Sequence, residues 1–254
     1  LQVSFQEEQY LDGVNLERDE FYEKLVHGKA FPKTSQPSPQ EFLDVFEEVK
    51  EKGDEIICIL LSSALSGTYQ SAQLARSMAD YDKIYIVDSL SAVVAIRMLC
   101  DTALDMAEHG DSAQEIVEEL EELKGKIQIF AAVDTLEYLA RGGRLPKTVA
   151  AIGNKLQFKT IITFTKEGEI EVVKKTRGAK KAMRDMAVLA EECKIDPEFQ
   201  AIPLFSQDDT NCREYMATLQ EADLKVEMKQ PEEIGATIAT YIGPEAYGIV
   251  FVES

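Results

Sequence analysis

The sequence predicts an α/β fold in two domains, because apolar stretches of strand length alternate with amphipathic stretches of helix length along most of its 254 residues. Two strands, Glu55–Leu61 and Ile84–Val87, are continuous apolar runs of the kind found in parallel sheets covered by helices on both faces. Past Gly125 the texture changes to paired strands around a polar turn, which predicts a mixed or antiparallel second domain. The expected division is 1–125 for an N-terminal domain with a largely parallel sheet, and 126–254 for a second α/β domain. No low-complexity linker or internal repeat intervenes, so the halves are expected to pack tightly.

The elements follow in order. Glu17 to Val26 reads as a helix with Phe21, Tyr22 and Leu25 on one side. Lys33-Thr34-Ser35-Gln36-Pro37-Ser38-Pro39 reads as a loop fixed by two prolines. Ser38 then caps a helix from Pro39 to about Lys52, with the proline suited to its first turn. The strand Glu55–Leu61 ends in Ser62-Ser63-Ala64-Leu65-Ser66-Gly67-Thr68, which leads into a helix carrying Leu74, Ala75 and Met78. Ile84–Val87 ends in Asp88-Ser89, before a helix rich in alanine and valine. An acidic helix, Ser112–Lys124, precedes Gly125. Ile127–Val133 is a strand, and Thr135–Arg141 a helix closed by Gly142-Gly143. Thr160–Thr165 and Ile170–Lys175 form a hairpin turning at Lys166-Glu167-Gly168. A helix is expected from near Pro231, and Val250-Phe251-Val252 is the closing strand.

Composition excludes several function classes. Hydrophobic residues make up 45% of the chain, enough for a packed core. No apolar run approaches the roughly 20 residues that span a bilayer, and nothing at the start reads as an export leader. A formal charge of −19 repels nucleic acid and anionic headgroups, so neither is expected as a partner. Cys58, Cys100, Cys193 and Cys212 are spread without a Cys-x-x-Cys spacing, as expected of reduced thiols in a cytoplasmic protein. His27 and His109 each precede a glycine after a helical run, so both are expected at helix C-termini. No metal site and no cofactor are expected.

The loop from Ser62 to Thr68 carries the strongest local signal. A strand feeding a helix through serine and glycine can aim N–H groups and hydroxyls at one anion, although, on the loop alone, plain helix capping by Ser66 with Gly67 for the turn is the better explanation. It lacks the Gly-Lys-Ser/Thr ending of a phosphate loop. It also lacks the Gly-x-Ser-x-Gly of a nucleophile elbow, with no histidine nearby as base. Thr34-Ser35 read locally as turn formers, Arg141 to Arg144 as a helix end, and Arg177 as a solvated charge.

Taken together, these segments have a familiar order: Thr34-Ser35-Gln36-Pro37-Ser38, the serine loop, Val87-Asp88-Ser89, Asp134-Thr135-Leu136-Glu137-Tyr138-Leu139 with Gly142-Gly143-Arg144, Arg177-Gly178, and Ile242-Gly243-Pro244. The chain resembles the DegV family of bacterial fatty-acid-binding proteins from Asp12-Gly13 to its last strand. The resemblance implies a non-enzymatic protein that buries a long-chain fatty acid such as palmitate between two domains. It implies that Thr34 and Ser66 hold the carboxylate, with Ser63 and Gly67 in the same loop. Arg144 is implied near the head group and Arg177 in contact with a partner, the protein either presenting the acid to a fatty acid kinase subunit or carrying it. A phosphotransferase or hydrolase using the Ser/Gly loop is the alternative.

Two departures stand out. Family members commonly begin with a further strand ending in Asp-Ser, so the N-terminal domain here is expected to lack its first strand. The family's His-x-Gly-Pro-Gly is replaced by Tyr241-Ile242-Gly243-Pro244-Glu245. Tyr241 is expected either to supply a neutral hydroxyl to the carboxylate or merely to pack at the end of the helix that starts near Pro231.

Overall fold

Val3 and Phe5 alternate with Gln2 and Ser4 along β1 (Gln2–Phe5), and both apolar side chains are buried. In this computed structural model, which describes residues 1–28, 30–145, 158–222, 224 and 226–254, β1 pairs antiparallel with β2 (Glu8–Leu11). Helix α1 (Arg18–His27) sets Phe21 5.9 Å from Phe5, centroid to centroid. On the other edge of β1 lies β3 (Lys33–Ser35), giving the order β2-β1-β3. The expected loop at Lys33–Ser35 is thus a strand. Three residues carry no readable alternation, and the pairing partner lies about thirty residues earlier.

Helix α2 (Pro39–Lys52) has a full capping box: Glu41 N–H donates to Ser38 Oγ, and Ser38 N–H donates to Glu41 Oε2 at 2.7 Å. It ends at Gly53, whose φ of 73° suits glycine. Next come β4 (Ile56–Leu60), α3 (Thr68–Ala79) and β5 (Ile84–Asp88), with β4 and β5 parallel from Ile56↔Ile84 to Leu60↔Asp88. Phe46, Ala75, Ala79 and Ile84 form a buried cluster around them. Every residue of β4 is only half-buried, unlike the fully covered strand its apolar run predicts. Among the described residues β4 pairs with β5 alone, and Ile57 and Ile59 line an apolar groove with Cys100, Ala103 and Leu104. Helix α4 (Val94–His109) ends at Gly110, and α5 (Ala113–Leu123) repeats the capping box with Ser112 and Glu115. His27 and His109 are the last residues of their helices, as expected.

The remaining elements are β6 (Ile127–Val133), α6 (Glu137–Arg141), β7 (Phe158–Phe164), β8 (Ile170–Arg177), α7 (Ala179–Glu192), β9 (Ile202–Phe205), α8 (Thr210–Glu221), β10 (Glu232–Glu233), α9 (Ala236–Ile242) and β11 (Tyr247–Val252). Their strands form a six-stranded mixed sheet in the order β10-β9-β11-β6-β7-β8. All six residues of β11 are buried, as its central position requires. Phe130, Ile161, Met183, Met186, Tyr215 and Phe251 form the core of this part. The helix expected from near Pro231 starts later, at Ala236. Glu232–Glu233 instead pairs parallel with β9, and Gly235, extended at φ −65° and ψ 161°, is the N-cap.

The fold is α/β, and it comprises two compact units. The larger contains Leu1–Thr34, Ile127–Thr165 and Ile170–Ser254; the smaller contains Ser35–Lys126 and Lys166–Glu169. The tip of the β7–β8 hairpin therefore belongs to the smaller unit, where Ser62 Oγ donates to Gly168 O at 2.8 Å.

Candidate functional site

In the larger unit, Thr34 on β3 meets Tyr241 on α9, with Thr34 Oγ1 and Tyr241 Oη 2.5 Å apart. Both side chains are half-buried. Arg144 completes this group: its guanidinium carbon lies 4.7 Å from the Tyr241 ring centroid. The position of Arg144 follows from how α6 ends. Gly143 N–H donates to Ala140 O and Arg144 N–H to Leu139 O, with Gly143 at φ 71°, so a Schellman turn sets the arginine just past the helix. Its Nη1 also donates to Gly142 O at 2.6 Å.

Two glycines allow α6 and α9 to meet. A Cβ on Gly142 would stand 2.3 Å from Tyr241 Cδ1, and one on Gly243 would stand 2.4 Å from Tyr138 Cδ2. Each tyrosine thus lies on the other segment's glycine. The sequence motifs identify Tyr138 and Gly243 by type alone and Gly142 as a helix end; their reciprocal packing is the reason for those residue types. The signal available was an aromatic and a glycine in each of two motifs.

The smaller unit holds the serine loop. Ser66 Oγ lies 2.9 Å from Thr68 Oγ1 and accepts from Thr68 N–H at 3.3 Å, so it caps α3 from one residue before Gly67. The side-chain amide of Gln36 lies against Gly67, where a Cβ would meet its Oε1 at 2.3 Å. Gln36 Nε2 donates to Ser71 Oγ at 3.0 Å, tying the Ser35-Gln36-Pro37 segment to the start of α3. The loop's N–H groups are mostly spoken for. Ser63 N–H goes to Asp88 Oδ1, Ala64 N–H to Ser62 Oγ, and both Leu65 and Ser66 N–H to Ser62 O. An anion here would meet hydroxyls rather than the cradle of amides that the sequence suggested. A phosphate-holding loop needs those amides free.

Thr34, Tyr241 and Arg144 therefore come together in one unit, and Ser63, Ser66 and Gly67 in the other. Arg177 joins neither group; it is the last residue of the edge strand β8, exposed and opposite Phe158. Among the described residues no three His, Cys, Asp or Glu side chains are arranged to hold a metal ion. Burial pushes the thiols of Cys58 and Cys212 up to about 11 and about 12, so neither is a thiolate near neutrality.

Glu245 follows the Gly243-Pro244 turn at φ 62°, with its carboxyl beside Asp134. Desolvation, then the charge and hydrogen bond of Asp134, raise its pKa above the usual carboxylate value, opposed by Lys159, which pairs with Asp134. A raised folded-state pKa gives stability that is present in acid and lost as pH rises through that value. Glu245→Gln should therefore melt about 1–2 °C above the parent at pH 7.5, a small gain because the side chain is exposed to screening solvent. The gap should close below pH ~4.5. Paired thermal melts across this range check it, and a gap that widens in acid would reverse the assignment.

Comparison with known proteins gives concordant matches. A family model described as an uncharacterised protein of the DegV family matches residues 1–254. A DegV domain-containing protein of Caldanaerobacter subterraneus is 36% identical over 253 residues, covering 100% of this chain and 90% of that protein. Among solved structures, a fatty-acid-binding DegV family protein from Thermus thermophilus superimposes with a TM-score of 0.88 at 31% identity, covering 100% of this chain and 90% of the other. A stearic-acid-binding protein from Eubacterium ventriosum does so with a TM-score of 0.87 at 32% identity, covering 99% of this chain and 89% of the other.

Proposed function

Because this chain belongs to the DegV family, we propose that it binds a long-chain fatty acid and holds the carboxylate with side-chain hydroxyls. The observation that carries this reading is the pair of hydroxyls at Thr34 and Tyr241, 2.5 Å apart, with the Arg144 guanidinium over the tyrosine ring. Two hydroxyls that now bond to each other can both turn to donate to an arriving carboxylate. The Arg144 guanidinium is a local positive charge and offsets part of the repulsion that a net charge of −19 imposes on an anion. Ser66 is the further donor, since its hydroxyl is held at the start of α3, where the helix dipole favours negative charge.

The energetics favour a carrier. Each buried methylene contributes about 0.8 kcal/mol, so a long acyl tail supplies roughly 10 kcal/mol of gross driving force. Hydrogen bonds to the charged head add about 1.5–3 kcal/mol each. The tail sets affinity, and the hydroxyls set orientation. Such a site requires no metal, base or nucleophile. In this reading the protein is not itself an enzyme. It presents the acid to a kinase subunit, with Arg177 on the exposed edge of β8 as a contact. The serine loop's occupied amides speak against the phosphotransferase alternative.

Organic extraction of the purified protein followed by mass spectrometry should recover a long-chain acid in near-stoichiometric amount. Protein that carries no lipid and also leaves added palmitate unbound would end the proposal.

A further inference from the structure

We propose that Asp12 is a positioning residue for the Tyr241 hydroxyl, an inference that rests on the reading of Tyr241 as a head-group donor. Helix α9 has no cap of its own. Its N-cap is Gly235, which has no side chain to accept from the first exposed N–H groups. Asp12 supplies the missing acceptors from 224 residues away: Ala236 N–H donates to Oδ1 at 3.1 Å, and Thr237 N–H to Oδ2 at 2.8 Å. Both carboxylate oxygens are engaged, one per amide, so the carboxylate restrains the helix's direction as well as its end. The negative charge also lies where the helix dipole favours it.

The origin of Asp12 gives this contact its consequence. It directly follows β2, in the same three-stranded sheet whose far strand, β3, carries Thr34. The sheet thus carries one hydroxyl of the pair itself and grips the helix that carries the other. Tyr241 is the sixth residue of α9, about 7.5 Å along the axis from the gripped end. Over so short a lever a tilt at the N-terminus moves the hydroxyl directly. Tyr22 Oη donating to Ile234 O at 3.3 Å secures the residues before the helix, but it touches no N–H of α9 itself. Gly235 fits the same arrangement, since a Cβ there would press on Asp12 Oδ2 at 3.3 Å.

The test is a double-mutant cycle read by calorimetric binding of palmitate, with melting temperature recorded for every variant. Asp12→Ala should weaken palmitate binding by about threefold to tenfold. Asp12→Asn, which keeps one acceptor, should restore most of that loss. In a Tyr241→Phe background Asp12→Ala should change affinity by less than about twofold, because the group it positions is gone. An equal loss in both backgrounds would mean that Asp12 merely supports the fold, and would overturn the proposal. So would unchanged affinity in Asp12→Ala beside a clear loss in Tyr241→Phe, which would leave the head-group reading intact. If Tyr241→Phe itself binds as tightly as the parent, that underlying reading fails and takes this one with it. Should Asp12→Ala not fold, Asp12→Ser takes its place in the same cycle.

Discussion

Gly243→Ala should be among the most damaging single-atom additions to this protein, lowering its melting temperature by roughly 5–15 °C. Two independent costs meet there. Gly243 has φ 77° and ψ −175°, a region essentially restricted to glycine. The added methyl would also stand 2.4 Å from the Tyr138 ring, which Phe31 flanks at 5.8 Å between centroids. Strain and overpacking together are worth about 2–4 kcal/mol. Gly143→Ala is the control, because its φ of 71° imposes strain while nothing lies within 4 Å of the new atom. Thermal melts should show Gly243→Ala losing at least twice as much as Gly143→Ala. Equal losses would mean that the ring packing contributes nothing.

The second large effect concerns binding. Thr34→Ala, Ser66→Ala should weaken palmitate affinity by about a hundredfold or more, since each hydroxyl lost from a charged acceptor costs about 1.5–3 kcal/mol. Ser66 also accepts from Thr68 N–H, so its single variant carries a capping loss that Thr34→Ala does not. Melting temperatures separate that loss from the binding effect. Calorimetry that finds the double variant binding like the parent would remove both residues from the head group.

What was legible in the sequence was what short-range physics controls. Ser38 ahead of Pro39, and the acidic run opening at Ser112, announced their helices, because capping and first-turn preferences act within a few residues. The apolar runs at Ile56–Leu60 and Ile127–Val133 announced strands by their strand-length, β-branched composition, although only the second is largely buried. The family's motifs were visible too, and with them Thr34, Ser66, Arg144 and Tyr241 as candidates. The sequence misled at the shortest elements, which owe their existence to a distant partner and carry no pattern of their own. Lys33–Ser35 is a strand only because β1 lies beside it, and Glu232–Glu233 only because of β9.

The same division applies to the site. The sequence by itself determined which residue types were present: hydroxyls, an arginine, and in each of two motifs an aromatic followed a few residues later by a glycine. The tertiary structure alone decided which of them meet. Thr34 and Tyr241 are 207 positions apart, and their 2.5 Å contact depends on the sheet that carries one and the helix that carries the other. That Gly142 and Gly243 must be glycine, and that Asp12 caps a helix at the other end of the chain, depends likewise on packing. Local propensity acts within a few residues and can be read along a line. Steric exclusion and remote capping act between surfaces, and exist only once the chain has brought those surfaces together.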